Sequence, residues 1–140
     1  MQEVSRIVVV RAAPPVPFVV GRVSCGFPSP AEDYLEHPLD FNDLLVTNPE
    51  ATFAVRAVGD SMIGAGIHPG DIVIVDRSRR AGDRSVVLAV LDGEFTIKRY
   101  RDVSGRRWLE AENPAYEPIP LSEESSFEVW GVVSNAIRTF

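Results

Sequence analysis

Apolar and polar positions fall into three stretches along the chain. In residues 1–30 the β-prone pieces "RIVVV" and "PFVV" are separated by Pro14, Pro15 and Pro17. Proline lacks the amide donor a ladder needs, so such pieces pair at a sheet edge but build no core. Residues 1–30 therefore read as an extended arm, and 31–140 as the domain. Next comes "SPAEDYLE", with Ser29 as N-cap, Pro30 at the first helical position and Glu32 closing a capping box. A short helix is expected there, stopped by Pro38. "DFNDLLVTNPE" predicts a second short helix ending near Asn48-Pro49. Beyond Ala51 the period shortens to that of strands. "ATFAVRAV", "DIVIVD", "RWLEAEN" and "FEVWGVVSNAIRTF" each read as a strand. "SVVLAVLDGEFTIKRY" reads as two strands about an Asp92-Gly93 turn, the strongest hairpin signal in the chain. The proline-rich "NPAYEPIP" reads as a separator. The fold class is mostly β: a single compact domain of short twisted strands preceded by an arm.

Length and composition fit that picture. The chain has 140 residues, 45% hydrophobic and 24% charged, enough for one domain with a real core. A single cysteine, Cys25, excludes an internal disulfide and a cysteine-based metal cluster, which fits a reducing compartment, and no metal or cofactor is expected. Glu3 spoils a basic leader, Arg11 stops the first apolar run, and no stretch reaches the ~20 apolar residues of a membrane helix. The expectation is a cytoplasmic protein with no membrane partner. Net charge is −6, which argues against bulk attraction to nucleic acid, so no direct DNA binding is expected. The charge is uneven. Residues 1–25 hold Arg6, Arg11 and Arg22 against Glu3, a net of +2, which leaves −8 for the rest.

Familiar catalytic signatures are missing. There is no phosphate-binding GxxxxGK[ST] loop and no HExxH pair, and His37 and His68 stand alone. Gly59-Asp60-Ser61-Met62-Ile63 lacks the second glycine of a GxSxG elbow. Ser61 nevertheless follows a strand at a Gly-Asp turn, where unpaired backbone N–H groups can hold an oxyanion. A serine there is a weak nucleophile without a base. The chain's only lysine is Lys98, and its other basic residues are arginines, which do not deprotonate. Alternation places Thr96, Lys98 and Tyr100 on one face of their strand, and Phe95, Ile97 and Arg99 on the other. On residue types alone, a solvated strand lysine and an ordinary turn serine remain the commoner reading.

The stretches "CGFPSPAEDYLE", "DFNDLL", "VGDSMIGAGIHPGDIVIVD" and "VLAVLDGEFTIKRY", with "ENPAYEPIP" and "VWGVV" after them, closely resemble the UmuD proteins. These belong to the LexA-type self-cleaving family with a serine-lysine dyad. The resemblance covers roughly residues 23–135, and the GDSM and DGE-x-x-x-K stretches are specific together. It implies a LexA/UmuD-like fold, Ser61 as nucleophile, the backbone N–H groups of Ser61 and Met62 at the oxyanion, Lys98 as general base and Cys25-Gly26 as the scissile bond. Glycine after that bond lets an attacking group approach closely. The resemblance further implies a homodimer, cleavage stimulated by a RecA filament on single-stranded DNA, and a shortened form that joins a UmuC-type subunit in an error-prone translesion polymerase. LexA-type repressors resemble the body too, but typically carry Ala-Gly at the bond and an N-terminal helix-turn-helix. The arm of 25 proline-broken residues cannot hold one. Other readings are a non-enzymatic polymerase-binding module with a vestigial dyad, a LexA-type C-terminal domain, and a signal-peptidase-like protease acting on other chains.

Overall fold

The structure is a computed structural model and describes residues 15–20, 22–28 and 35–140. "RIVVV" and most of the helix expected over residues 29–36 lie outside them. The chain divides into two compact units, Met1–Leu44 and Leu45–Phe140.

In the first unit β1 (Val16–Val20) pairs antiparallel with β2 (Leu35–Leu39), which takes up the last two residues of that expected helix. Pro17 faces Pro38 in the register. Each proline leaves a ladder position without a donor, which a two-stranded ribbon with two free edges tolerates. Phe18 packs against the His37 ring at 5.8 Å between centroids. Asp40 then caps a helix, α1 (Phe41–Leu45), its Oδ1 accepting the Asn42 N–H at 2.8 Å. The helix ends three residues before the expected Asn48. Val46 and Thr47 are β-branched, and the Asn48 carbonyl is committed to a turn that accepts the Ala51 N–H and the Thr52 hydroxyl.

The second unit is a seven-stranded antiparallel sheet in the order β3-β4-β9-β5-β6-β7-β8. Its strands are β3 (Thr52–Arg56), β4 (Ile72–Asp76), β5 (Val86–Leu91), β6 (Glu94–Val103), β7 (Arg106–Glu110), β8 (Ile119–Leu121) and β9 (Phe127–Ile137). The Asp92-Gly93 turn joins β5 to β6 with both residues in the left-handed region, φ 49° and 82°, as a two-residue hairpin requires. Ser104-Gly105 repeats the arrangement between β6 and β7. β8 is an addition to the expected set. It is three residues long, sits at the sheet edge, and places Pro120 opposite Trp108, where a missing donor costs little.

The sheet is covered on both faces. Leu88 joins Ala57, Met62, Ile67, Val73 and Val75 in one core cluster. Its neighbours Val87 and Ala89 join Tyr100 and Leu109 in another. That is why "SVVLAVL" is apolar without alternation. β6 behaves likewise, Ile97 packing against the first cluster while Tyr100 belongs to the second. Among the described residues no helix is long and apolar enough to cross a membrane.

Candidate active site

The β3–β4 connection carries Ser61. Its neck is closed by two backbone bonds: the Ala57 N–H donates to the Asp71 carbonyl at 2.8 Å and the Gly70 N–H to the Ala57 carbonyl at 2.9 Å. Inside, Met62 and Ile67 are buried in the first core cluster on either side of a single 3-10 turn, Ile63–Ala65. The Met62 carbonyl accepts the N–H groups of both Ala65 and Ile67. Burying the residue that follows Ser61 fixes the serine at the lip of the core. From the other side the turn is tied to the β7–β8 connection. Asn113 Nδ2 donates to the Asp60 carbonyl at 3.0 Å, and the Tyr116 hydroxyl donates to the Asp60 carboxylate. The Gly64 N–H donates to the Glu112 carbonyl at 2.8 Å.

Lys98 reaches this serine from the middle of β6. Its Nζ lies 3.1 Å from Ser61 Oγ, 2.9 Å from Thr96 Oγ1 and 3.3 Å from the Ile97 carbonyl oxygen. The Thr96 contact follows from alternation, since residues two apart on a strand share a face. Burial lowers the Lys98 pKa from its ordinary value near 10.5, because the ammonium form is the one that loses hydration. Among the described residues no carboxylate lies within ion-pair distance of it to offset that loss. The backbone N–H groups of Ser61 and Met62 have no acceptor among the described residues.

Ser61 and Lys98 open into a cleft of about 460 Å³. Its walls are apolar: Phe53 and Val55 of β3, Leu88, and Phe95 set edge-on to Trp130 at 5.0 Å. Phe95 is 60% exposed and Val58 94%. All lining residues come from the second unit. Cys25 and Gly26 belong to the first, where both are exposed and the Gly26 N–H donates to Ser24 Oγ at 3.2 Å. His68, read from sequence as a lone histidine, donates its backbone N–H to Asp71 Oδ2 and has its ring against Arg138. Sequence reasoning did not single out Thr96, Asn113, Tyr116, Asp71 or Arg138. Only Thr96 had a local signal, its place two residues before the lysine.

The domain brings a half-buried lysine within hydrogen-bond distance of a turn serine, and comparisons with known proteins place the chain in a family. Residues 17–134 match the Peptidase S24-like family, and the chain belongs to it. Among its relatives, SamA of Salmonella typhimurium is 43% identical over 122 residues, spanning 87% of this chain and 84% of that protein. MucA of Escherichia coli is 39% identical over 124 residues, with the same shares covered. These are UmuD-like proteins. The LexA repressor of Mycolicibacterium smegmatis is 38% identical over 120 residues, 86% of this chain but only 48% of the repressor. The match to the UmuD-like proteins thus covers most of both chains, and the match to the repressor about half of the repressor.

Proposed function

We propose that this chain is a self-cleaving protein of the DNA-damage (SOS) response, in which Ser61 and Lys98 cut the Cys25-Gly26 bond. Ser61 Oγ attacks the carbonyl carbon of Cys25, and neutral Lys98 takes the hydroxyl proton. The oxyanion is held by the free N–H groups of Ser61 and Met62. The C–N bond then breaks, and Lys98 returns the proton to the leaving amine of Gly26. Water, deprotonated by Lys98, hydrolyses the ester on Ser61 and frees the carboxylate of Cys25.

The observation that carries this reading is the 3.1 Å approach of Lys98 Nζ to Ser61 Oγ at a lysine whose charge is disfavoured by burial. A neutral amine has two N–H groups and one lone pair. Directing the N–H groups to Thr96 Oγ1 and the Ile97 carbonyl leaves the lone pair for the Ser61 proton. By family, cleavage is stimulated by a RecA filament on single-stranded DNA. The chain is a cytoplasmic homodimer, and the form starting at Gly26 joins a UmuC-type polymerase subunit for translesion synthesis. The test is intact-mass spectrometry of the purified chain with and without activated RecA. A new N-terminus at Gly26, faster with RecA and absent in Ser61→Ala, is expected. A chain that stays whole under both conditions, or a Ser61→Ala chain cut at the same bond, overturns it.

A further inference from the structure

The second unit gathers positive charge in one place. Residues 77–107 hold nine of the chain's 14 basic residues against four of its 20 acidic ones, a local net of +5 in a chain of net −6. Eight of the nine are arginines, and most are engaged. Arg99 pairs with Glu112, and Arg101 with Asp83 and Glu110. Arg84 lies 4.0 Å from Asp83. Arg106 lies over the Trp108 ring at 5.3 Å, and Arg77 over Trp130 at 4.8 Å. Arg79, Arg80 and Arg107 have no such partner among the described residues, and these three line one pocket of about 410 Å³. No acidic residue lines it. Asp76 feels the Arg79 charge, but its Oδ1 is committed to Ser78 and it forms no ion pair. Three guanidinium groups facing a common space repel one another until an anion fills it. Phe127 and Tyr100 line it as well, their rings nearly parallel, 7° between planes and 6.0 Å between centroids.

We infer that this pocket binds single-stranded nucleic acid, with phosphates on Arg79, Arg80 and Arg107 and a base against Phe127. Guanidinium forks match phosphate oxygens two at a time, and a flat ring beside cations is the platform on which unpaired bases stack. Phe127 also packs against the second core cluster, which holds its ring rigid, and an acidic peptide would use the arginines alone. The site lies apart from Ser61 and Lys98, shares no lining residue with their cleft, and does not depend on the cleavage reading. The net charge of −6 argues only against bulk attraction, which this local concentration escapes.

The test is fluorescence anisotropy of an end-labelled oligothymidylate of about 12 nucleotides titrated with the full chain. Three neutralised phosphates on a single strand give a slope of about −2 for log affinity against log salt, a loss of about 20-fold between about 50 and 200 mM. Arg79→Gln with Arg80→Gln, both in an exposed loop and neutral to the sheet, is expected to weaken binding and flatten the slope. Adding Arg107→Gln is expected to bring binding to background. Phe127→Leu is expected to weaken the oligothymidylate while leaving an abasic phosphodiester of equal length unaffected. Thermal melts confirm that each variant is folded. No binding at about 50 mM salt overturns the inference, as does unchanged affinity in the arginine variants, which would place binding on the basic arm. Equal competition by polyglutamate at matched charge also overturns it, because the pocket would then be an acidic-peptide site.

Discussion

At the scale of single residues the cleavage reading rests on two side chains with separable roles. Ser61→Ala is expected to abolish self-cleavage with little change in melting temperature, since Ser61 is only half-buried and its hydroxyl supports no part of the core. Lys98→Ala is expected to lower the rate by about 10²–10⁴-fold, the usual contribution of a positioned base. Lys98→Arg does not rescue it, because a guanidinium keeps its proton. A Lys98→Arg chain cutting at the normal rate would remove the lysine from the mechanism. The pH dependence follows from the direction of the lysine shift. Only the neutral amine acts, so the rate rises with pH and levels off above the pKa of Lys98, which burial lowers from near 10.5. Stability carries the same sign. Between the lowered folded value and the ordinary unfolded one, the unfolded chain binds more protons, so this group's contribution improves as pH rises through that window. Thr96→Val removes an acceptor that supports the ammonium form. It is expected to move the midpoint of the rate profile to lower pH and, by freeing the amine to turn, to reduce the plateau. A rate profile from about pH 7 to 11 on each variant reads both effects, and a flat wild-type profile would dismiss lysine deprotonation as the limiting event.

At the scale of elements, the same serine is held by packing that no local pattern reveals. A methyl group on Gly64 would stand 2.6 Å from the Glu112 carbonyl oxygen, a backbone atom that cannot swing away. Gly64→Ala is therefore expected to cost about 1–3 kcal/mol, as overpacked sites do, and to shift the 3-10 turn that follows Ser61. The prediction is a loss of cleavage larger than the loss of folded protein, measured by mass spectrometry beside a thermal melt. The far side of the loop is stapled by Arg138. Its Nε and Nη2 donate to the two carboxylate oxygens of Asp71, which is only 2% exposed, and Nη2 also donates to the Gly66 carbonyl. The Arg138 hydrogen bond, with the His68 N–H, lowers the Asp71 pKa from its ordinary value near 3.8. That contribution to stability is present above about pH 4 and lost as pH falls through the lowered value. Arg138→Ala is expected to melt earlier at neutral pH, with the gap to wild type narrowing in acid. A constant gap from neutral to strongly acidic pH would show that the ion pair is not what Arg138 contributes. These ties mark the limit of sequence reading. β3, β4, β5, β6, β7 and β9 were legible because each has a run of β-formers closed by turn residues. β2 was not, since "LEHPL" carries no alternation, and β8 was hidden by Pro120 in a three-residue edge. Residue types alone favoured an ordinary turn serine and a solvated lysine, and Ser61 and Lys98 stood out through the resemblance of the GDSM and DGE-x-x-x-K stretches. Arg138 and Asp71 lie 67 positions apart, and only the closing of the sheet brings them together.

At the scale of the whole molecule, charge is distributed against the chain's average, and the arm offers a test of what that does. Residues 1–25 carry +2 and residues 26–140 carry −8. The second figure is itself uneven: residues 77–107 alone carry +5, so the remainder of the body carries −13. By charge alone, a basic arm is drawn to the acidic stretches of the body and repelled by residues 77–107. Exposed ion pairs contribute only about 0.2–1 kcal/mol each, so such an attraction tunes the arm rather than anchoring it. It is also short-ranged in salt, with screening lengths of about 10 Å at 0.1 M and about 3 Å at 1 M. Under the proposed cleavage, a weak hold lets the Cys25-Gly26 bond be presented to Ser61 or withheld from it. The expected outcome is that trypsin, which cuts after Arg6, Arg11 and Arg22, digests the arm of a Ser61→Ala chain a few-fold faster at about 1 M than at about 0.1 M salt, after correction for trypsin's own salt response on a free arm peptide. Glu3→Lys is expected to slow low-salt digestion, since it raises the arm to +4 while adding one tryptic site that can be followed separately. Equal corrected rates at both salt concentrations would show that the arm is held by its apolar pieces, "PFVV" foremost, and that the charge division has no part in presenting the Cys25-Gly26 bond.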